Sequence, residues 1–393
     1  MSTIFDVMFT YNTLKKPMKC VKIETVKFYG GIVLNSYGLV LAGGGAKGAY
    51  QLGAWKAMRE IGIRFSVVAG VSIGSINGAL IASDSFEDAE MLWQSASIDK
   101  GVNISAELRD PENLFSIKNF PALIKEVWKN GGIDASPTKA LLQQFIDEDK
   151  VRKSDVGLGI VTFSLTDYEP KEIFIDDIPE GQLHDYLLAS SKVPGVSKIG
   201  PEGERFLDGG VYDNTPVEML LKNGYNKLIV VDISSMKGIG HRADFANAQV
   251  VYIRPNDVDE LGAAFDFSEE MLEFRMKMGY LDARKAFGLV SGRIYYFEKN
   301  VFRNMILKYG ADACMELEKM AVELGLERVK IYEPEDFILK LKVLYDAHVE
   351  EYNKRQDEAE QKKIYGQILK RLPLFKSGEE YPEAVAVLDN LIV

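Results

Sequence analysis

The spacing of apolar residues changes along the first part of the chain and separates strands from helices. Residues 38–42 and 65–70 are short apolar runs, which are typical of buried strands. Between them, apolar residues recur at helical spacing over 50–61, and Gly62 ends that helix. Residues 71–82 form a second predicted helix, rich in small side chains. The order strand, helix, strand, helix predicts an α/β fold with a parallel sheet.

The rest of the chain continues this pattern and then changes. Further strands are predicted at 157–163, 172–175, 227–233 and 249–253. An apolar stripe between Phe120 and Trp128 predicts a helix packed against the main domain, because such stripes usually face a core. Thr215-Pro216-Val217-Glu218 has the pattern of a capping box at a helix start. Beyond residue 300 the spacing is helical, and 350–371 is dense in charge.

Composition narrows the class of protein. The 393 residues are 47% hydrophobic and 27% charged, which is typical of a soluble globular protein of two or three domains. The net charge of −11 argues against nucleic acid as a partner. Cys20 and Cys314 are far apart, so neither a disulfide framework nor a standard metal site is expected. The sequence shows no signal peptide and no apolar run of membrane-spanning length, so we expect a cytoplasmic protein.

The first candidate for chemistry is the sequence Gly70-Val71-Ser72-Ile73-Gly74, which matches GxSxG. In this motif the serine sits on a strained turn between a strand and a helix, where side chains larger than glycine would block the turn and the substrate. The match falls where an apolar strand meets a helix start, and the helix N-terminus favours developing negative charge. Ser72 is therefore the predicted nucleophile, supported by Gly70 and Gly74.

The second candidate is the glycine-rich loop that follows the first strand. It has four glycines in six residues and also fits GxGxxG, so a dinucleotide site is the rival hypothesis. A dinucleotide would need an acidic residue at the end of the second strand, but that strand leads into Ser72. The loop is therefore predicted as an oxyanion hole, with Lys47 as a solvated or locally paired side chain. The loop residues are Gly43, Gly44, Gly45, Ala46, Lys47 and Gly48.

The third candidate is Asp208, which is followed by Gly209 and Gly210 and is predicted on a loop between ordered elements. A carboxylate in a dry site can serve as the base for Ser72, because desolvation raises its pKa. The order Ser72, Asp208, His241 also allows a hydrolase triad, which stays the second alternative. His184 and His348 are predicted to be structural.

Together these motifs resemble the patatin-like phospholipase family, in its bacterial type. The resemblance runs from about residue 37 to about 300, through GGGAKG at 43–48, GVSIG at 70–74, ASSKVPG at 189–195 and DGG at 208–210. It implies a three-layer α/β/α fold with a mainly parallel sheet over 38–300. The segments 1–37 and 301–393 would then be an unassigned extension and a helical C-terminal region.

The resemblance also implies the chemistry. Ser72 would be the nucleophile and Asp208 the base of a dyad that hydrolyses acyl esters of lipids, with no metal or organic cofactor. The partner would be a lipid substrate, which makes transient contact with a membrane surface an expectation as well. The alternatives that remain open are an esterase with a Ser-Asp-His triad and a non-catalytic dinucleotide-binding regulator.

Overall fold

The computed structural model describes seven stretches of the chain. They are residues 36–96, 136–164, 167–191, 206–211, 213–234, 248–362 and 381–389. The predicted helix at 120–128, Cys20, His241 and most of the N-terminal extension lie outside them. In the described part, no helix is long and apolar enough to cross a membrane.

The central sheet has seven strands and is mainly parallel, as the βαβ pattern predicted. Its main path runs β4-β3-β2-β1-β6-β7, with β5 paired to β3 off this path. β4 and β5 run antiparallel to β3, and the other neighbouring pairs are parallel. The strands are β1 Ser36–Leu41, β2 Arg64–Val71, β3 Gly157–Ser164, β4 Glu169–Phe174, β5 Phe206–Asp208, β6 Lys227–Val231 and β7 Gln249–Ile253.

Helices flank the sheet on both faces. They are α1 Ala49–Glu60, α2 Ile73–Ala82, α3 Phe86–Ser95, α4 Ser136–Phe145, α5 Glu148–Arg152, α6 Leu183–Ser190, α7 Val217–Lys222 and α8 Glu269–Ala286. Along β1, Leu39 and Leu41 pack into the larger core with α1, α2 and α8, whereas Val40 faces a smaller core with α7. This alternation is what a strand buried on both faces requires, and it produces the three-layer α/β/α fold.

Two local predictions are wrong. The capping box at Thr215 does not form: α7 begins after Pro216, and no side chain accepts a hydrogen bond at its N-terminus. The Thr215 amide instead donates to the Asp213 carboxylate, which closes a tight turn before the helix. Asp208 does not lie on a loop, since it is the last residue of strand β5.

The C-terminal part is mainly helical but also contains a small sheet. Helices α9 Lys299–Tyr309, α10 Ala311–Glu323, α11 Pro334–Lys362 and α12 Pro382–Asp389 accompany strands β8 Val290–Ser291, β9 Tyr296–Glu298 and β10 Ile331–Tyr332. A separate hydrophobic cluster, built from residues between Ile294 and Leu388, holds these elements together. The boundary at residue 300 stays a prediction.

Candidate active site

Ser72 lies at the turn between β2 and α2, as the GxSxG pattern predicted. Its backbone has φ 54° and ψ −129°, a conformation with positive φ that residues other than glycine rarely adopt. An added Cβ on Gly70 would come within 2.2 Å of the Gly74 carbonyl oxygen, so the turn closes only with glycine there. This backbone lifts the Ser72 hydroxyl out of the sheet at the carboxyl end of β2.

A second serine holds the strained turn in place. The Ser72 amide donates to Ser190 Oγ at 2.9 Å, and Ser190 Oγ donates to the Val161 carbonyl at 2.6 Å. Ser190 lies at the end of α6, within the 189–195 segment that carries the family resemblance. Ser190 was not among the predicted site residues, because its fully buried hydroxyl reaches Ser72 only in the folded chain.

The pairing of strands brings Asp208 to Ser72. β2 pairs with one edge of β3 up to Val161, while β4 occupies the other edge over residues 159–164. β5 therefore pairs with the part of β3 that extends beyond β2, on the same edge. In this pairing Asp208 lies opposite Thr162, the residue after the last one that pairs with β2. That position is level with Ser72, and the Asp208 carboxyl lies close enough for the Ser72 side chain to lower its pKa.

The surroundings of Asp208 suit a base. Burial raises the pKa of this carboxyl from 3.8 to about 6, while hydrogen bonds from Ser72 and from the Gly210 amide hold it down. The Gly210 amide donates to Asp208 Oδ1 at 2.8 Å. A carboxylate with a pKa near 6 is ionised at neutral pH and still basic enough to accept a proton.

Most of the glycine-rich loop has regular secondary structure. Gly45–Gly48 forms a 3-10 turn that runs directly into α1. The amides of Gly43, Ala46 and Lys47 are already engaged, since they donate to the carbonyls of Asn214, Ala264 and Gly44. The amides of Gly44 and Gly45 have no acceptor within the described ranges. The candidate oxyanion donors are therefore fewer than the six residues of the predicted loop.

Close contacts explain why this loop needs its glycines. An added Cβ on Gly43 would lie 3.2 Å from the Ser72 Cβ, which places the loop beside the nucleophile. Gly45 has φ +58°, and a Cβ there would come within 2.3 Å of the Ala264 carbonyl oxygen. At Gly44 an added Cβ would lie 2.9 Å from the Ile233 side chain. The remaining glycines named from the sequence are more crowded, with an added Cβ at 2.2 to 2.5 Å from a neighbouring atom: Gly48, Gly70, Gly74, Gly209 and Gly210.

The carbonyls of the loop are held by side chains that the sequence analysis missed. Gln51 Nε2 donates to the Ala42 carbonyl, Asn214 Nδ2 to that of Gly43, and Asn77 Nδ2 to that of Gly48. The sequence signal for Gln51 and Asn77 was a side-chain amide on a helix face of apolar or small residues. An amide on such a face is expected to be buried and therefore to need hydrogen-bond partners. These bonds engage carbonyls in and next to the loop, while the amides of Gly44 and Gly45 remain for a ligand.

Arg275 holds the same loop from α8. Its side chain is fully buried and donates to the carbonyls of Leu261, Ala263 and Asp266, and to that of Ala46 at 3.4 Å. Burial lowers the pKa of Arg275, and Asp266 partly offsets this effect. The positive charge therefore lies directly behind the glycine-rich loop.

Other candidate residues lie apart from this chemistry or differ from expectation. Lys47 was predicted to be solvated or locally paired, and at 5% exposure it is not solvated. Burial lowers its pKa, and nearby Asp259 opposes the shift. The buried His184 ring contacts the Ile146 carbonyl, and His348 lies on the distal helix α11. No group of three or more potential metal ligands occurs among the residues that the structure describes.

Comparison with known proteins identifies the domain that contains this site. Residues 39–221 match the family model described as patatin-like phospholipase. Lysophospholipase nte1 of Aspergillus terreus is 29% identical over 207 residues, which cover 51% of this chain and 12% of that protein. The patatin-like phospholipase domain-containing protein ZK370.4 of Caenorhabditis elegans is 30% identical over 213 residues, covering 52% and 14%.

Among solved structures, the crystal structure of VipD from Legionella pneumophila aligns with 91% of this chain and 84% of that chain, at a TM-score of 0.37 and 14% identity. The chain spans only a small fraction of the curated relatives, whereas the family match spans the strands and loops that carry Ser72 and Asp208. Residues 39–221 thus resemble the patatin-like phospholipase family in the part of the chain that carries Ser72 and Asp208.

Proposed function

We propose that the protein is a serine hydrolase of lipid acyl esters that works through Ser72 and Asp208 without a histidine. The observation that carries the proposal is that strand pairing brings Asp208 level with Ser72, where burial raises the pKa of the carboxyl to about 6 and the Ser72 side chain opposes the shift. The strained backbone of Ser72 and the adjacent amides of Gly44 and Gly45 supply the other requirements of acyl transfer.

The proposed reaction has two stages. Asp208 accepts the hydroxyl proton as Ser72 Oγ attacks the ester carbonyl, and the Gly44 and Gly45 amides donate to the resulting oxyanion. The intermediate collapses to an acyl-enzyme, and Asp208 returns the proton to the departing alcohol. Water then attacks the acyl group, gives its proton to Asp208 and releases the fatty acid, after which the proton returns to Ser72.

Lysophospholipids are the substrate class that we propose first. The support is that several relatives are named lysophospholipases and that residues 39–221 match the patatin-like phospholipase family model. Such substrates reside in micelles and bilayers, so transient contact with a membrane surface is part of the proposal. The bacterial subtype and a cytoplasmic location stay predictions.

The direct test compares three proteins on lysophosphatidylcholine, with release of fatty acid as the readout. The wild type should hydrolyse it, and Ser72→Ala should abolish turnover, because the substitution removes the proposed nucleophile. Ser83→Ala, a serine at the other end of α2, should retain activity. A fluorophosphonate probe should label Ser72 in the wild type. Wild-type turnover by folded Ser72→Ala would refute the assignment.

The triad alternative has its own test. His241→Ala should retain most activity if Asp208 alone is the base. Loss of turnover in His241→Ala, with an unchanged melting temperature, would replace the proposed dyad with the triad.

A further inference from the structure

A buried chain of side-chain amides connects the helix of the nucleophile to both ends of the glycine-rich loop. Trp93 Nε1 donates to Asn77 Oδ1 at 3.0 Å, and Asn77 Nδ2 donates to Gln51 Oε1 at 2.9 Å and to the Gly48 carbonyl at 3.0 Å. Gln51 Nε2 then donates to the Ala42 carbonyl at 2.7 Å. Ala42 directly precedes the loop, and Gly48 is its last residue.

The chemistry of the partners fixes the orientation of both amides. The indole N–H of Trp93 can only donate, and the backbone carbonyl of Gly48 can only accept, so Asn77 has one possible orientation. The Ala42 carbonyl fixes Gln51 in the same way. Gln51 and Asn77 are 0% and 3% exposed, and every polar atom of the two amides has a partner.

Asn77 occupies a special place in this chain because it lies on α2, the helix that begins directly after Ser72. It therefore ties the position of the nucleophile to that of the loop. We propose, on the basis of the function proposed above, that Asn77 is a positioning residue that sets the distance between Ser72 Oγ and the amides of Gly44 and Gly45. Gln51 holds the other end of the loop through its bond to the Ala42 carbonyl.

Positioning of this kind should act on turnover more than on binding. The oxyanion exists only after Ser72 has attacked, so a displaced loop weakens the transition state while leaving the bound ester largely unaffected. Displacements of about 1 Å can cost about 10²-fold in rate. The expected signature is a fall in kcat with little change in KM.

The experiment separates the two halves of the Asn77 amide. Asn77→Asp retains an acceptor for Trp93 but removes the donor to Gly48 and Gln51, so kcat should fall by about 10²-fold. Trp93→Phe keeps the donor to Gly48 but removes the bond on the acceptor side and indole atoms that pack near Gly48, so kcat should fall less than in Asn77→Asp. Gln51→Met removes the contact with Ala42 and gives an independent result should Asn77→Asp not fold.

Stability needs a matched control, because any change in a buried network lowers the melting temperature. Ile81→Ala truncates a buried residue of the same helix without touching the loop. It should lower the melting temperature and retain kcat. A trifluoromethyl ketone, whose adduct with Ser72 uses the oxyanion donors, should bind less tightly to Asn77→Asp and Gln51→Met but not to Ile81→Ala.

The outcomes distinguish this inference from the proposed function. Wild-type kcat in folded Asn77→Asp or Gln51→Met, or an equal loss in Ile81→Ala at the same melting temperature, would overturn the positioning role. An inactive wild type, or an active Ser72→Ala, would instead refute the function on which the role rests.

Discussion

Asp208 combines a catalytic requirement with a cost in stability. Its pKa is about 6 in the folded protein and 3.8 ordinarily, so the ionised form is disfavoured by the fold. Below pH 3.8 the group is protonated in both states and the penalty is absent. The penalty grows as the pH rises and is complete above about 6, where it amounts to about 3 kcal/mol.

Ionisation of Asp208, which lowers the stability of the fold, should raise the activity. Because Asp208 must be ionised to accept the Ser72 proton, kcat/KM should be constant above about pH 6 and fall about tenfold per pH unit below it. The measurement is a pH profile with a short-chain ester, corrected for stability at each pH. A profile governed only by a group that titrates well above 6 would contradict Asp208 as the base.

Replacement of the carboxylate should exchange activity for stability. Asp208→Asn keeps the shape and removes the basicity, so turnover should fall by several orders of magnitude. The variant should unfold at a higher temperature than the wild type at pH 8, and this gain should vanish near pH 4. Thermal unfolding at the two pH values checks the sign. A lower melting temperature at pH 8 would mean that the ionised carboxylate stabilises the fold.

At the scale of elements, α1 and α8 meet with their backbones in contact. An added Cβ on Gly53 of α1 would lie 1.9 Å from the Met276 carbonyl oxygen, and one on Gly279 of α8 would lie 1.9 Å from that of Tyr50. α1 follows the glycine-rich loop and α8 carries Arg275, so this crossing places the guanidinium behind the loop. Sequence spacing alone treats such glycines only as weak points in a helix.

The crossing predicts an unusual response to alanine. Gly53→Ala and Gly279→Ala should each destabilise the protein by about 3 kcal/mol or more, because overpacking against backbone forces the helices apart. Gly78→Ala, in the middle of α2, is the control: its nearest neighbours are side-chain methyl groups at 3.3 Å, so it should be close to neutral. Denaturant unfolding measures all three. Equal effects at the three sites would disprove the tight crossing.

The elements also show what sequence patterns can and cannot predict. β1, β2 and the turn at Ser72 were predicted because each depends on local spacing, a buried strand followed by a small-residue helix. The place of Asp208 was missed because β5 has only three residues and is defined by pairing with a distant strand. Asn77 and Arg275 were missed for the same reason, since their partners are backbone atoms brought together by the fold.

At the scale of the whole molecule, a buried carboxylate connects the C-terminal part to the first turn of α1. Asp282 accepts hydrogen bonds from the Tyr50 hydroxyl at 2.7 Å and the Tyr296 hydroxyl at 2.9 Å. Burial raises the pKa of Asp282, while Lys285 and the two tyrosines oppose the shift. Because Tyr296 belongs to β9, this bridge ties the small C-terminal sheet to the helix that follows the glycine-rich loop.

The bridge makes a quantitative prediction about coupling. Tyr50→Phe and Tyr296→Phe should each destabilise the protein by about 1–3 kcal/mol, because each leaves a buried carboxyl oxygen without its donor. Their combined effect should differ from the sum of the two by more than about 0.5 kcal/mol, since both act on Asp282. Tyr168→Phe, on a side chain that is 80% exposed, should change stability by less than about 0.5 kcal/mol. Denaturant unfolding of all four variants gives these values. Strict additivity of the two buried substitutions would mean that the C-terminal sheet and α1 are held together independently of Asp282.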